Sequence, residues 1–322
     1  MGLVRGRAAV PPRTAYLLTY HEGRCSSNCA FCPQARGASS KTDRLSRVLW
    51  PAFHRDEVLS RIGAMGGGGP IERVCLQVIN YGGSFEDALA LISHIRRSSN
   101  LPISVSCQPL DGGRLRELRE AGAERVGIPM DAANEEVFEG VKGRLAGGPY
   151  RWEEHLRALR SAVSIFGEGM VTTHLIVGLG ERDADLCGLM QDLKDAGVLT
   201  ALFAFTPVKG TALEGSAPPS LARYRRIQLA RYLIAKGLVR FEEMEFDGRG
   251  RISGFGLPER GILGSIGSGE PFETSGCPGC NRPFYTERVD GPLYNFPRPL
   301  RGDEVEEAKA LAIGSLGRDG RD

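Results

Sequence analysis

Short apolar runs alternate with amphipathic stretches along most of the chain. Residues 16–20, Arg73 to Ile79, Ile103 to Cys107, Arg125 to Pro129, Val171 to Val177 and Leu199 to Phe205 read as buried strands. Helical spacing of apolar positions falls between or after them, around Arg55 to Met65, Phe85 to Arg97, Arg114 to Ala121, Trp152 to Ile165, Ala184 to Ala196 and Leu221 to Ala235. Strand–helix alternation of this kind predicts a parallel sheet covered by helices, an α/β fold of the TIM-type (β/α) barrel class, full or slightly incomplete. Val239 to Phe246 reads as a seventh strand, and no eighth is legible. The expected organisation is an N-terminal arm over 1–14, a barrel over 15–246, a C-terminal extension over 247–313 that completes or covers the barrel and ends in a helix at Asp303 to Ala312, and a charged tail over 314–322.

Composition changes this picture little. Of 322 residues, 41% are hydrophobic and 25% charged, as in ordinary globular proteins. The balance of 41 basic against 39 acidic residues, a net charge of +2, gives no footprint for nucleic acid or an anionic membrane. The apolar runs are too short to span a bilayer, and the basic start lacks the apolar core of a signal peptide, so a cytoplasmic, reducing setting is expected. There, grouped thiols among the eight cysteines bind metals or act in redox chemistry.

Cys25, Cys29 and Cys32 form CxxxCxxC in the loop after the first strand, and three soft thiolates converging there suit an iron–sulfur cluster, zinc or copper. A structural zinc would need a fourth ligand, with His21 the nearest, whereas a cubic cluster on three cysteines leaves one iron open. Cys75 and Cys107 lie in the second and third strands, as buried core thiols or as ligands. Cys277 and Cys280 form CxxC in a glycine–proline loop, a redox dithiol or one edge of a cluster. Cys187 falls on the apolar side of a helix and reads as packing. The four glycines 66–69 lack the lysine and hydroxyl of a phosphate loop, and GLGERD lacks the third glycine of a dinucleotide fingerprint. The five histidines form no ligand-spaced cluster, and no acid–base catalyst is assigned.

The string CSSNCAFCPQAR, Cys25 to Arg36 with Phe31 before the last cysteine, resembles the signature of the radical S-adenosylmethionine enzymes, and in particular their biotin synthase-like branch. The resemblance runs to about Leu213. It implies a four-iron, four-sulfur cluster on Cys25, Cys29 and Cys32 whose open iron binds S-adenosylmethionine, cleaved by one electron to a 5'-deoxyadenosyl radical that takes hydrogen from unactivated carbon. It also implies cofactor contacts from Asp131 to the ribose and from Ile176 and Gly178 to the adenine, with FTPVKGTALEG, Phe205 to Gly215, bordering it. On placement alone Asp131 also suits a helix cap. The usual acidic glycine-rich motif after the second strand is replaced by residues 79–84, INYGGS, so Asn80 or Tyr81 would serve the amino group.

Cys75 and Cys107 coincide with two ligands of the sulfur-donating cluster of biotin synthases, but Thr172 stands where the third is expected. Cys277 and Cys280 offer a replacement pair, so a second, auxiliary four-iron cluster on Cys75, Cys107, Cys277 and Cys280 is expected. The C-terminal string TSGCPGCNRPFYTERVDGPLYNFPRPL resembles the radical enzymes of the two-component lipoyl synthases. That likeness implies sulfur insertion into an octanoyl chain on a lipoyl carrier protein, a second related radical subunit, and an electron donor such as ferredoxin or flavodoxin. Arg282, Tyr285 and Arg288 would position the carrier or chain, or only pack the terminal segment. The alternatives are a biotin synthase acting on dethiobiotin, a radical enzyme without sulfur transfer, and a non-enzymatic zinc-binding module.

Overall fold

A computed structural model describes residues 10–65, 69–283, 285–287 and 291–314. Arg288, three of the four glycines of 66–69, most of the N-terminal arm and nearly all of the tail lie outside the described residues. The centre is one parallel sheet of six strands in sequential order: β1 (Thr14–Leu18), β2 (Arg73–Gln77), β3 (Ile103–Ser106), β4 (Arg125–Gly127), β5 (Val171–Val177) and β6 (Val198–Ala204). Each strand is joined to the next by helical crossovers, the connection that parallel neighbours require. These are α1 (Arg55–Met65), α2 (Ser84–Ser98), α3 (Gly112–Glu120), α4 (Glu135–Val141), α5 (Trp152–Phe166) and α6 (Asp183–Asp195), with α7 (Leu221–Lys236) after β6.

The period-two alternation of the strands assigns their faces. In β2, Val74 and Leu76 are wholly buried among the helices, which answer with Ile92 and Ile95 of α2, whereas Cys75 and Gln77 lie on the opposite face. In β5 the fully buried Val171, Leu175 and Val177 alternate with Thr172, His174 and Ile176, which line the interior. Gly127 sits beside Thr172 in register, and a Cβ there would come within 2.9 Å of Thr172 Oγ1.

The sheet does not close on itself, because β1 and β6 are its edges. The gap is filled by the C-terminal residues 275–283. Ser275 Oγ accepts the backbone N–H of Leu202 in β6 at 2.9 Å, and Tyr16 Oη in β1 accepts that of Arg282 at 3.0 Å. At the lower rim Asn281 Oδ1 accepts the Arg13 N–H, and at the upper rim Thr206 Oγ1 donates to the Thr286 carbonyl. Both sheet edges thus find hydrogen-bond partners in an irregular segment instead of a seventh and eighth strand.

The expected strand over Val239 to Phe246 is not formed. Phe241–Glu243 is a 3-10 turn, and Glu245–Phe246 pairs antiparallel with Ile252–Gly254 outside the main sheet. Three glutamates within four positions, Glu242, Glu243 and Glu245, leave only scattered apolar anchors, too few for a buried barrel strand. A short helix α8 (Glu259–Ile266), not legible in the glycine-rich stretch, and α9 (Gly302–Ile313) complete the described chain, α9 packing on α7. Cys187 is fully buried on α6, as packing requires. No helix among the described residues is long and apolar enough to cross a membrane.

Candidate active site

The loop carrying Cys25, Cys29 and Cys32 lies at the carboxyl ends of the strands, where a (β/α) barrel gathers its chemistry. It is held from two sides. From β2, the Asn80 carbonyl accepts the Ser26 N–H at 2.7 Å, and Asn80 Nδ2 donates to Ser27 Oγ and to Tyr150 Oη at 3.3 and 3.1 Å. From the crossover after α4, the Val141 carbonyl accepts the Ala30 N–H at 2.7 Å, the Ala146 carbonyl accepts Asn28 Nδ2 at 2.6 Å, and Ser27 and Tyr150 share a short hydroxyl contact. Beneath the loop Cys29 packs with Ala132, Phe138, Val141 and Tyr150, while Phe31 leans on the same cluster.

Burial pushes the Cys29 thiol well up and that of Cys32 up to about 12, with Cys32 and Cys25 adding to the first and Cys25 to the second. Such thiols ionise when a metal takes the proton's place. Among the described residues no three His, Cys, Asp or Glu side chains lie close enough to hold a single ion. His21 is stacked on Tyr81, ring centroids 4.4 Å apart. The donor set of three soft thiols on one braced loop fits a multi-iron cluster, whose thiolates bind separate corners.

The residues expected to meet the cofactor are distributed unevenly. Asn80 is spent on bracing the loop. The Tyr81 ring stacks on His21, and its hydroxyl donates to Asp87 at 2.7 Å. Asp131 is no helix cap, since Asn134 accepts the Val137 N–H at the start of α4. Its carboxylate is buried between two partners: Lys142 Nζ lies 2.7 Å from Oδ2 and His174 Nε2 2.8 Å from Oδ1. Burial alone would raise its pKa, but Lys142 and His174 overcome this and hold it well below the ordinary carboxylate range. Ile176 donates its N–H to the Asp131 carbonyl at 2.7 Å. Gly178 turns the chain at φ +106°, and a Cβ there would meet Pro219 Cδ at 2.9 Å. Its N–H donates to Glu181, which with Asp183 is gripped by Arg223.

The four later cysteines separate into three and one. Cys277 accepts a hydrogen bond from Ser104 Oγ at 3.6 Å, Cys280 Sγ lies 3.4 Å from Tyr16 Oη, and Cys75 feels the charge of both thiols after the larger effect of its own burial. Cys107 does not join them. Ser104 and Ser106 face the interior, so one residue further Cys107 turns outward into the helix-packed core with Val105 and Leu118, raised to about 12 by burial alone. Cys107, expected to ligate with the other three, is thus set apart from them in this arrangement. Arg282, its guanidinium 4.1 Å from the Phe203 ring centroid, brings a half-buried positive charge beside Cys280, and Tyr285 packs on Phe203. Lys142 and Tyr16 were missed because a lone lysine and a strand tyrosine carry no spacing signal.

Residues 19–193 match the Radical SAM superfamily. The chain belongs to that superfamily. It is an α/β radical SAM enzyme, and the family binds S-adenosylmethionine on a four-iron, four-sulfur cluster. Among curated relatives, it is 26% identical to the biotin synthase of Desulforudis audaxviator over 224 residues, 68% of this chain and 64% of that protein. It is 27% identical to that of Synechococcus elongatus over 234 residues, 70% and 68% of the two chains. Among solved structures the fold matches methylornithine synthase PylB with a TM-score of 0.52 at 17% identity, covering 70% of this chain and 63% of that one. The FeFe-hydrogenase maturase HydG from Carboxydothermus hydrogenoformans aligns with a TM-score of 0.51 at 18% identity, over 70% and 52%.

Proposed function

We propose that this radical SAM enzyme inserts sulfur into an unactivated carbon–hydrogen bond, drawing it from a second cluster held by Cys75, Cys277 and Cys280. The observation that carries this reading is that Cys280 and Cys277 contact Tyr16 and Ser104, the register neighbours of Cys75 on the strands either side of it, although 202 residues separate Cys75 from Cys277. The cofactor, when bound at the first loop, supplies the hydrogen-abstracting radical. The chain's own residues do the rest: residues 275–283 seal the open side of the sheet, and Arg282 offsets the negative charge of assembled thiolates.

The substrate favoured is an octanoyl chain on a lipoyl carrier protein, with a second related radical subunit sharing the work and a ferredoxin or flavodoxin supplying the electron. The C-terminal string supports this choice. Biotin synthesis from dethiobiotin is the second reading, favoured by the curated relatives and opposed by Thr172 on β5. Incubation of the reduced enzyme and its partner subunit with octanoylated carrier, and separately of the enzyme with dethiobiotin, tests both by mass spectrometry. Sulfur on the carrier alone supports the first reading, and sulfur on dethiobiotin alone overturns it in favour of the second.

A further inference from the structure

Lys142 is a fully buried ammonium with a place in the architecture that the reaction described above leaves unexplained. Besides Asp131, its Nζ donates to the Pro129 carbonyl, and it stands over the rings of Tyr150 and Phe138 at 5.3 and 5.9 Å from their centroids. Taking such a charge from water costs several kcal/mol unless it is paired and hydrogen-bonded, and here both conditions are met. The pairing is itself built under strain. Asp131 sits at φ +65°, in the left-handed region that side-chain-bearing residues seldom adopt, fixed by backbone bonds to His174 and Ile176.

The lysine follows directly on Val141, whose carbonyl holds Ala30, and it opens the crossover that also grips Asn28 and Ser27 and reaches Arg36 through the Gly147 carbonyl. Thus the ammonium lies beneath the stretch of loop that bears Cys29. It stands over the Phe138 and Tyr150 rings, and Cys29 packs in the same cluster as those two rings. A fixed charge in so dry a place acts over a distance at which an exposed one would be screened.

We propose that Lys142 is a positioning residue for the thiol loop: anchored by Asp131, it clamps the 141–150 crossover onto Ser26 to Cys32 and sets a positive charge beneath Cys29, raising the reduction potential of the cluster held there. Adding an electron to a cluster adds negative charge, which a nearby cation stabilises. The inference rests on the family's cluster at Cys25, Cys29 and Cys32, and not on sulfur insertion.

The test is a redox titration followed by electron paramagnetic resonance on the full chain, reconstituted anaerobically. A Cys277→Ala, Cys280→Ala background restricts the signal to the first loop. Lys142→Met, close in shape but uncharged, is expected to move the midpoint to a more negative potential. Lys142→Arg, which keeps the charge, is expected to restore it, and Asp131→Asn, which removes the anion, to move it the opposite way. A midpoint unmoved by Lys142→Met, or moved in the same direction by Asp131→Asn, overturns the proposal. Should Lys142→Met fail to hold a cluster, Asp131→Asn decides alone, an unmoved or more negative midpoint counting against the proposal. Sulfur insertion plays no part in the readout, so the reading of the reaction stands or falls separately.

Discussion

The hydroxyl of Tyr16, on the first strand, lies 3.4 Å from the Sγ of Cys280, 264 residues further along the chain. The same hydroxyl accepts the Arg282 N–H. One phenol therefore couples the free edge of the sheet to the loop that fills its gap. Tyr16→Phe keeps the ring and removes both bonds, leaving a part-buried N–H without its acceptor. A loss of about 1–3 kcal/mol in unfolding free energy is expected, with less iron retained by the second site, both read on the reconstituted protein.

Arg223 bridges two carboxylates that are almost wholly buried, Glu181 and Asp183, and Glu181 in turn holds the N–H groups of Gly178 and Leu179. Arg223→Ala leaves both acids without their cation. The expected cost is about 3–5 kcal/mol, measured by denaturant unfolding, and a change below about 1 kcal/mol would show that water replaces the guanidinium.

Gly178 tests whether the turn after β5 depends on its missing side chain. At φ +106°, with Pro219 and Phe205 crowding the vacant Cβ position, Gly178→Ala should lower the melting temperature and weaken S-adenosylmethionine binding together. Equilibrium binding to the reconstituted protein checks the second effect.

His155 gives the fold an acid sensitivity. Burial, aided by Lys142, pulls its pKa down to about 3, so the folded chain keeps the ring neutral where the unfolded chain protonates it. Because the unfolded state binds the extra proton, stability falls as pH drops below about 6.5, by about 1.4 kcal/mol per pH unit until the folded ring also protonates near 3. His155→Phe should flatten the fall in melting temperature between pH 6 and 4 by that contribution, and an unchanged slope would contradict the assignment.

The sequence made the repeating units legible because each strand is a short apolar run and each helix shows a clean buried stripe, as at Ala88, Ile92 and Ile95. It also exposed the first three thiols, whose spacing is local. What it hid depends on distance. Cys107 lies one residue from an interior position, and strand alternation, invisible without a register, turned it outward. The closing of the sheet by 275–283 replaces a strand with side-chain hydrogen bonds from Tyr16 and Ser275, which no periodicity encodes. Lys142 reads as one lysine among many until Asp131, at its unusual backbone angle, is seen beside it.

The second cluster is the centre of the account, and counting iron and sulfide per chain tests it most directly. Anaerobically reconstituted wild type is predicted to hold about eight irons, and the Cys277→Ala, Cys280→Ala and Cys75→Ala, Cys280→Ala variants about four. Cys107→Ala is predicted to keep about eight. About four irons in the wild type, or a wild-type count in the Cys277→Ala, Cys280→Ala protein, would contradict a sulfur-donating cluster inside the sheet.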